Sequence, residues 1–261
     1  MALFSRIAKL EAEGKKAALV TVVRVSGSTP REPGAKMIVL EDGAIDGTIG
    51  GGAVELAAIQ NAREAIADGQ PRYLEHKLTQ ELGMCCGGQV SLFIEPLLRS
   101  PPLVIFGAGH VGAALCRAAS AAGFAVFVVD EREELTRPDL LTGAKGRTNE
   151  LDDPAIPFGP ETFVMVTTHD HALDQKLVER SLAKRHRWLG VIGSQRKAIL
   201  TRERLAHKGF TAEQVAAVRC PVGLAIGAET PEEIAVSILA ELIAVRRGRV
   251  PTHALETKAR T

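Results

Sequence analysis

The chain has 261 residues, 46% of them hydrophobic and 24% charged, which is typical of one large or two modest globular domains and excludes a disordered chain. Its 32 Lys and Arg residues nearly balance its 31 Asp and Glu residues, and a net charge of +1 gives no strong positive field for nucleic acid or an acidic membrane. The unusual feature is 25 glycines beside only 8 Phe, 1 Tyr and 1 Trp, so the positions of the glycines guide the search for function.

Neither a membrane span nor a secretory leader is expected. The longest apolar stretches, such as residues 17–23, are far shorter than the ~20 residues that a spanning helix needs. The amino terminus has apolar residues at helical spacing, interrupted by charges, instead of a continuous apolar core. The 4 cysteines, two of them adjacent, do not form a disulfide framework. We therefore expect a cytoplasmic protein with reduced thiols.

The first part of the chain, residues 1–98, predicts a small mixed α/β domain. A helix that ends at Gly14 leads into an apolar, β-branched strand over 17–25. Strands over 35–40 and 44–49 flank Glu41-Asp42-Gly43, which is typical of a tight hairpin turn. The remaining predicted elements are a helix over 53–67, strands over 72–78 and 89–95, and a proline-containing linker over 96–102.

Residues 99–250 predict a Rossmann-like domain with a parallel sheet, because short apolar strands alternate with helices of ten to fifteen residues. The predicted strands are 103–106, 125–130, 162–168 and 188–192. The last helix has a capping box, with Thr230 as N-cap, Pro231 next and Glu233 three residues after the cap. Residues 251–261 are expected to form a flexible tail.

A G-x-G-x-x-G pattern follows the first strand of this second domain and opens a helix, as a phosphate-binding turn does. Gly107 would make the tight turn, Gly109 would let the backbone approach a phosphate, and Gly112 would let the helix pack on the strand. His110 either contacts the ligand or is an exposed residue at the helix start. Asp130 ends the next strand, where an acid would bind ribose hydroxyls. The alternative is a Rossmann turn that is kept for its geometry and binds nothing.

A second glycine cluster, Gly50, Gly51 and Gly52, leads into the helix of the first domain. Consecutive glycines expose backbone N–H groups that suit an oxyanion or a flat ligand. Glu55 lies in the first helical turn, where it either belongs to the site or only stabilises the helix dipole. The sequence before the cluster adds the cations Arg31 and Lys36, which would meet a phosphate unless their loop is merely solvated.

The adjacent thiols Cys85 and Cys86 precede two glycines, so they are candidates to bind a soft metal or to carry sulfur. A structural zinc site is not expected, because the chain has no second pair of closely spaced cysteines. Cys116 is interpreted as a small core residue inside a helix, and the role of Cys220, which precedes a proline, stays open.

Polar residues also follow two later strands at the edge where doubly wound sheets bind ligands. His169 lies in the run 168–171, which together with Asp174 resembles a metal cluster. A helix cap by Asp170 and a histidine that only closes a crevice explain the same residues. Gly193 and Ser194 lie in a further loop on this edge and are candidate contacts to an anion.

Taken together and in this order, the motifs resemble the XdhC/CoxI family, the accessory proteins of xanthine dehydrogenase and related molybdenum hydroxylases. The matching segments are 27–31 with 34–37, 47–52 with Glu55, 86–88, 106–112, 168–171 with Asp174, 190–194 and 221–224. The resemblance implies a chaperone that binds the molybdenum cofactor, molybdopterin, and protects it while a cysteine desulfurase replaces one oxo ligand by sulfur. It then implies delivery to apo xanthine dehydrogenase or a related molybdenum hydroxylase, and a small α/β domain followed by a Rossmann domain.

The residues agree with that role. Molybdopterin is a flat pterin with a phosphate and a dithiolene-bound metal, so glycine-rich backbone donors suit it. No nucleophile, base and acid triad is evident, which fits a carrier that releases its cargo better than an enzyme. We expect Cys86, with Cys85 beside it, to lie close to the molybdenum or to assist sulfuration. A homodimer is expected for such a carrier, although no interface stripe marks it in the sequence.

Two other functions stay open. An NAD(P)-dependent oxidoreductase would use the glycine turn and Asp130, with His169 or His171 as general acid, but no arginine that would orient a substrate lies near these histidines in the sequence. A nucleotide-sensing regulatory subunit would instead change its docking on a partner when its Rossmann half is occupied.

Overall fold

The structure is a computed structural model that describes residues 2–78, 88–97 and 100–249. It divides into two compact units, Met1–Arg99 and Ser100–Thr261. The elements of the first unit are the helices α1 (Ala2–Ala12) and α2 (Gly52–Asp68) and the strands β1 (Ala17–Ser26), β2 (Lys36–Leu40), β3 (Ile45–Gly47), β4 (Arg72–Lys77) and β5 (Gln89–Leu97). The strands form one antiparallel sheet in the order β3-β2-β1-β5-β4.

Alternation along β1 places a core on each face of this sheet. Ala18, Val20 and Val22 pack in the cluster that includes α2, whereas Ala17 and Leu19 pack with residues of α1. The buried residues of α2 are mostly alanines, which bring the helix close to the sheet. The antiparallel sheet of the first unit is therefore covered by a helix on each face.

The predicted hairpin is present, and the predicted boundary between the last strand and the linker shifts. The amide of Leu40 donates to the carbonyl of Ala44 at 2.8 Å, and Gly43 has the positive φ of 89° that the turn requires. Strand β5 continues through Pro96, so the predicted linker begins later. Pro96 lies beyond the position that pairs with Arg72, the first residue of β4. At Pro96, β5 therefore has a neighbouring strand on one side only, and sheets tolerate proline at such positions.

The second unit contains a six-stranded parallel sheet in the order β11-β10-β9-β6-β7-β8. Its strands are β6 (Pro102–Phe106), β7 (Ala125–Val129), β8 (Gly146–Thr148), β9 (Phe163–Val166), β10 (Trp188–Val191) and β11 (Val218–Arg219). Its helices are α3 (His110–Ala121), α4 (His171–Leu182), α5 (Gln195–His207), α6 (Ala212–Ala217) and α7 (Pro231–Arg246). The prediction of a mixed α/β fold with a Rossmann-like parallel sheet is confirmed.

The strand order reverses between β6 and β9, which creates the crevice where doubly wound sheets bind ligands. Strand β6 is buried on both faces: Leu103 and Ile105 pack in the cluster of α3 and α7, and Val104 and Phe106 pack in the cluster of α4 and α5. A strand without a polar face cannot slip its register without exposing its core side chains, so the loop that follows β6 is held firmly.

Three further sequence expectations concern this unit. The capping box of α7 is confirmed, since the amide of Glu233 donates to the hydroxyl of Thr230 at 3.3 Å and the amide of Thr230 donates to the Glu233 carboxylate at 3.0 Å. Cys116 is fully buried, as expected, and burial raises its pKa to about 11. The predicted tail, 251–261, lies outside the described residues.

Within the described part of the chain, no helix is both long enough and apolar enough to cross a membrane.

Candidate functional site

The glycine turn between β6 and α3 is shaped by contact with the neighbouring strand. Gly107 has φ +110°, and a Cβ atom there would overlap the Thr167 carbonyl group, with its carbon 2.6 Å away. A Cβ atom at Gly112 would lie 2.9 Å from the carbonyl carbon of Gly107 and would overlap its oxygen. Gly109, in contrast, has no heavy atom within 4 Å of a Cβ position. Packing therefore requires two of the glycines, and the third leaves open space at the start of α3.

Asp130 is already bound by the protein. One carboxylate oxygen accepts the amide of Ala108 at 2.7 Å and Nη2 of Arg132 at 2.7 Å, and the other accepts the amide and Nε of Arg132 at 3.0 and 2.9 Å. Burial raises the pKa of Asp130, but the hydrogen bonds from Arg132 and Ala108 outweigh it and leave the pKa below its ordinary value. The carboxylate that was expected to bind ribose hydroxyls is thus already hydrogen-bonded, because the arginine two residues later folds back onto it.

A buried ion pair links the loops that follow β9 and β10. The amide and hydroxyl of Thr168 donate to Oδ1 of Asp174 at 3.1 and 2.6 Å. Lys197 pairs with Oδ2 of the same carboxylate and donates to the carbonyl of Ile192 at 2.8 Å. The side chains of Asp174 and Lys197 are 2% and 14% exposed, so the lysine charge is compensated inside the protein. A Cβ atom at Gly193 would lie 2.5 Å from Cδ of Lys197, so a larger residue there would shift the lysine side chain.

Two of the polar residues at this edge are helix caps. Asp170 accepts the amides of Ala172 and Leu173 at the start of α4, at 2.6 and 3.3 Å. Ser194, a predicted anion contact, accepts the amide of Lys197 at 3.3 Å as the N-cap of α5. His110, His169 and His171 are exposed at the same edge.

No group of three His, Cys, Asp or Glu residues within 2–78, 88–97 and 100–249 is arranged to hold a metal ion. The interpretation of residues 168–174 as a metal cluster therefore has no support in the geometry.

Two cavities open at the carboxyl edge of the parallel sheet. The smaller, of about 330 Å³, lies between α4 and α5 and is lined by Arg196, Arg204 and the Asp174–Lys197 ion pair. The larger, of about 530 Å³, lies at the ends of β10 and β11 and is lined by the loop 220–228 together with residues of α5, α6 and α7. Both volumes are within or close to the range of small-molecule sites, which is about 300–1,000 Å³.

The larger cavity rests on a buried glutamate that the sequence reasoning missed. Glu241 is fully buried, and it accepts Nε1 of Trp188 at 3.3 Å, Nε of Arg219 at 2.9 Å and the amide of Gly223 at 2.7 Å. A signal for it was present: position 241 is three residues after Ile238, on the apolar stripe of α7, where a charged residue requires a buried partner.

In the first unit, the glycine cluster holds a carboxylate of its own chain. Oε1 of Glu55 accepts the amides of Ile49, Gly50 and Gly51 at 3.0, 3.2 and 2.9 Å, and also the hydroxyl of Thr48. Burial raises the pKa of Glu55, but these hydrogen bonds outweigh it, so its pKa lies below the ordinary value. The amides of Gly50 and Gly51, which were expected to meet a ligand oxyanion, are therefore taken by Glu55, because positive φ values at Gly50 to Gly52 turn the loop toward it.

Three of the sequence motifs of this unit meet around the loop 26–31. A Cβ atom at Gly50 would lie 2.7 Å from Cγ of Pro30, and one at Gly88 would lie 2.6 Å from the carbonyl oxygen of Ser26. Arg31 is exposed beside them, whereas Nζ of Lys36 donates to the hydroxyl of Thr21 at 3.2 Å. The remaining candidates, Cys85 and Cys86, lie outside the described residues.

Comparisons with known proteins agree across both units. The chain is 38% identical over 257 residues to the uncharacterized protein YqeB of Escherichia coli K12, covering 94% of this chain but only 46% of YqeB. It is 28% identical over 268 residues to the molybdenum cofactor insertion chaperone PaoD of the same organism, covering 89% of this chain and 84% of PaoD. The chain thus spans about half the length of YqeB.

A solved structure supports the fold. A Bacillus halodurans protein described as a xanthine dehydrogenase superposes with a TM-score of 0.53 at 23% identity, over 96% of this chain and 97% of that one. The family model of the XdhC and CoxI family matches residues 10–77, and that of the XdhC Rossmann domain matches residues 103–242. The chain therefore belongs to the XdhC/CoxI family.

Proposed function

We propose that this protein is a maturation factor that holds the molybdenum cofactor as cargo and delivers it to xanthine dehydrogenase or a related molybdenum hydroxylase. Membership of the XdhC/CoxI family and the relation to a molybdenum cofactor insertion chaperone support the maturation role. The step in which a cysteine desulfurase sulfurates the bound cofactor, the homodimer and the identity of the client enzyme are part of the proposal.

The observation that carries the proposal is the contrast between Gly109 and Asp130. The space around Gly109 is open, and the first-turn amides of α3 have no intrahelical acceptors, which suits a phosphate. Asp130, the residue that would bind a ribose diol, is enclosed by Arg132 and Ala108. Molybdopterin has a phosphate but no ribose diol, so it fits the open space at Gly109 and the enclosed Asp130 better than NAD does.

The oxidoreductase alternative gains nothing from the geometry. For NAD to bind in the usual way, its ribose would have to displace an arginine that makes two side-chain hydrogen bonds to Asp130. Arg132 is part-exposed and adjacent to the turn, so it can offer a phosphate group a hydrogen-bond donor, although Asp130 compensates its charge. We therefore place the phosphate of the cargo at the turn, near Arg132, with His110 at its edge.

The test is to block the turn without disturbing the fold. Gly109 has φ −66°, which any residue adopts, and its Cβ position is open, so Gly109→Leu should fold normally and shield the amides. Gly159→Leu is the matched control, because its Cβ would make only an ordinary 3.8 Å contact with Thr162 in a loop before β9. We expect the affinity for molybdopterin to fall at least about tenfold in the first variant only, as for loss of a charge-assisted contact.

Equal molybdopterin affinity in both variants would place the phosphate elsewhere. Tight NAD or NADP binding with hydride transfer, and no binding of molybdopterin by the wild-type protein, would overturn the proposed function in favour of an oxidoreductase.

The thiols have a separate test. We propose that Cys86, with Cys85, lies near the molybdenum or assists sulfuration, because thiolates are ligands for soft metals and carriers of sulfur. Replacing both by alanine should reduce the sulfurated fraction of the bound cofactor or its affinity. Unchanged cofactor binding together with unchanged sulfuration would remove the cysteines from the mechanism.

A further inference from the structure

The larger cavity, at the ends of β10 and β11, has a wall that is fixed before any ligand arrives. The amide of Gly223 donates to Glu241 at 2.7 Å, the amide of Leu224 donates to the carbonyl of Ser237 at 3.2 Å, and the Ser237 hydroxyl donates to the Leu224 carbonyl at 2.7 Å. A Cβ atom at Gly223 would overlap that hydroxyl, so the loop lies directly on α7. A preformed wall lowers the entropy cost of binding a rigid ligand.

The cavity is lined mainly by aliphatic side chains. They belong to Ile192, Val222, Leu224, Ile226 and Ile234. Ile226 is 54% exposed in the absence of a ligand, so a flat molecule in the cavity would cover apolar surface that now faces water. These side chains suit the faces of a ring and offer nothing to a small hydrated anion.

Arg219 supplies a polar edge whose charge is already compensated. Its Nε donates to the fully buried Glu241 at 2.9 Å, while 30% of the side chain stays exposed where Arg219 lines the cavity. Because the guanidinium is paired with a carboxylate, the site favours a neutral acceptor such as a ring carbonyl over a second anion.

The other polar groups of the cavity agree with this. Arg202 is exposed, and its Nη2 donates to the carbonyl of Cys220 at 3.1 Å, so its charge is largely screened by solvent. Gln195 lines the same cavity with an amide that can both donate and accept, as a ring with N–H and C=O groups requires.

We propose that this cavity binds a flat bicyclic heterocycle with a ring carbonyl, of the pterin type, against the Arg219 guanidinium and the aliphatic walls. The proposal deepens the proposed function and rests on it: the pterin of the cargo would lie here and its phosphate at the glycine turn. The volume of about 530 Å³ is sufficient for a bicyclic ring with a short substituent.

The experiment uses the full chain and neopterin, a fluorescent pterin without phosphate or metal, in an equilibrium titration. Ala216→Trp and Ala225→Trp fill the cavity from two separate segments that line it, and both alanines are exposed. Ala206→Trp is the matched control, since Ala206 is exposed on α5 and lines neither cavity. We expect saturable binding that falls at least about tenfold in both cavity variants and is unchanged in the control.

A second variant probes the carbonyl contact. Arg219→Lys retains a cation for Glu241 but removes the distal guanidinium nitrogens, so neopterin affinity should fall about five- to tenfold, as for loss of one hydrogen bond to a charged group. Thermal unfolding of each variant confirms that the fold is kept.

The outcomes separate this inference from the proposed function. The inference is overturned if neopterin shows no saturable binding, or if it binds the two cavity variants as well as it binds the control. The proposed function still stands in that case if molybdopterin binds. Neopterin binding that the cavity variants abolish supports the inference, and if molybdopterin itself does not bind, the proposed function fails alone.

Discussion

The two glycine clusters both lead into a helix and both bind an acidic side chain, but they differ in how many backbone donors that side chain occupies. In the first unit, the amides of Gly50 and Gly51 donate to Glu55, so the anion that the glycine loop binds is a carboxylate of the same chain. In the second unit, Asp130 accepts the amide of Ala108, while Gly109 faces open space at the start of a helix. The comparison teaches that a glycine-rich loop provides donors, while the availability of those donors is decided by whether an acidic side chain nearby reaches them.

The largest expected effect separates packing glycines from open ones. Gly112→Ala would place a methyl group against the carbonyl of Gly107, a backbone atom that cannot move away, so we expect a loss of about 3 kcal/mol in the free energy of unfolding. Gly109→Ala, in the same turn, should stay within about 0.5 kcal/mol of wild type. Urea unfolding of both variants checks the difference, and equal stabilities would contradict the described turn.

The next effect concerns the glycine loop of the first unit, whose amides bind Glu55. Glu55→Ala leaves the amides of Ile49 and Gly51 and the Thr48 hydroxyl without their acceptor, and we expect a loss of about 2 kcal/mol in the free energy of unfolding, with about half of that for Glu55→Gln. Gln60→Ala, at an exposed position on the same helix, is the control and should change stability by less than about 0.5 kcal/mol. If Glu55→Ala is as stable as the control, the carboxylate does not hold the loop.

A smaller effect is expected at Gly51, where a side chain would have room but the backbone conformation disfavours one. Its φ is +80° and no heavy atom lies within 4 Å of a Cβ position, so Gly51→Ala is strained by conformation alone. We expect a loss of about 1 kcal/mol, measured by the same unfolding experiment. A loss as large as that of Gly112→Ala would mean that the loop is packed more tightly than described.

The smallest effect is a pH dependence. Because the folded-state pKa of Glu55 lies below its ordinary value of 4.5, its contribution is complete above that pH and is lost as the pH falls through the folded pKa. The stability difference between wild type and Glu55→Gln should therefore be constant near neutral pH and shrink below about pH 4.5. Unfolding measured at several acidic pH values checks this, and a difference that grows on acidification would refute it.

The sequence predicted the fold where its signals were periodic and long. Strands such as β6 are continuous apolar runs, and three residues of the sequence were enough to predict the capping box of α7. Strands β8 and β11 were missed because their three and two residues are too short to show a period.

The site was less predictable, because its state depends on contacts across the fold. The sequence placed Glu55 in the first turn of α2 and Asp130 at the end of β7. It did not reveal that each carboxylate is enclosed by its own loop, although the Asp-x-Arg spacing of Asp130 and Arg132 was a signal. Arg219 and Glu241 are 22 residues apart, and only the packing of α7 against the end of β11 brings them together.

The buried glutamate beneath the larger cavity also gives the protein an optical reporter. The chain has 1 tryptophan, and the indole of Trp188 donates to Glu241, whose other oxygen holds the amide of Gly223 in the cavity wall. Tryptophan emission therefore originates from one place, two hydrogen bonds away from the loop that would contact a ligand. A change in the loop is readable as a shift in tryptophan fluorescence, without a label and without disturbing the fold.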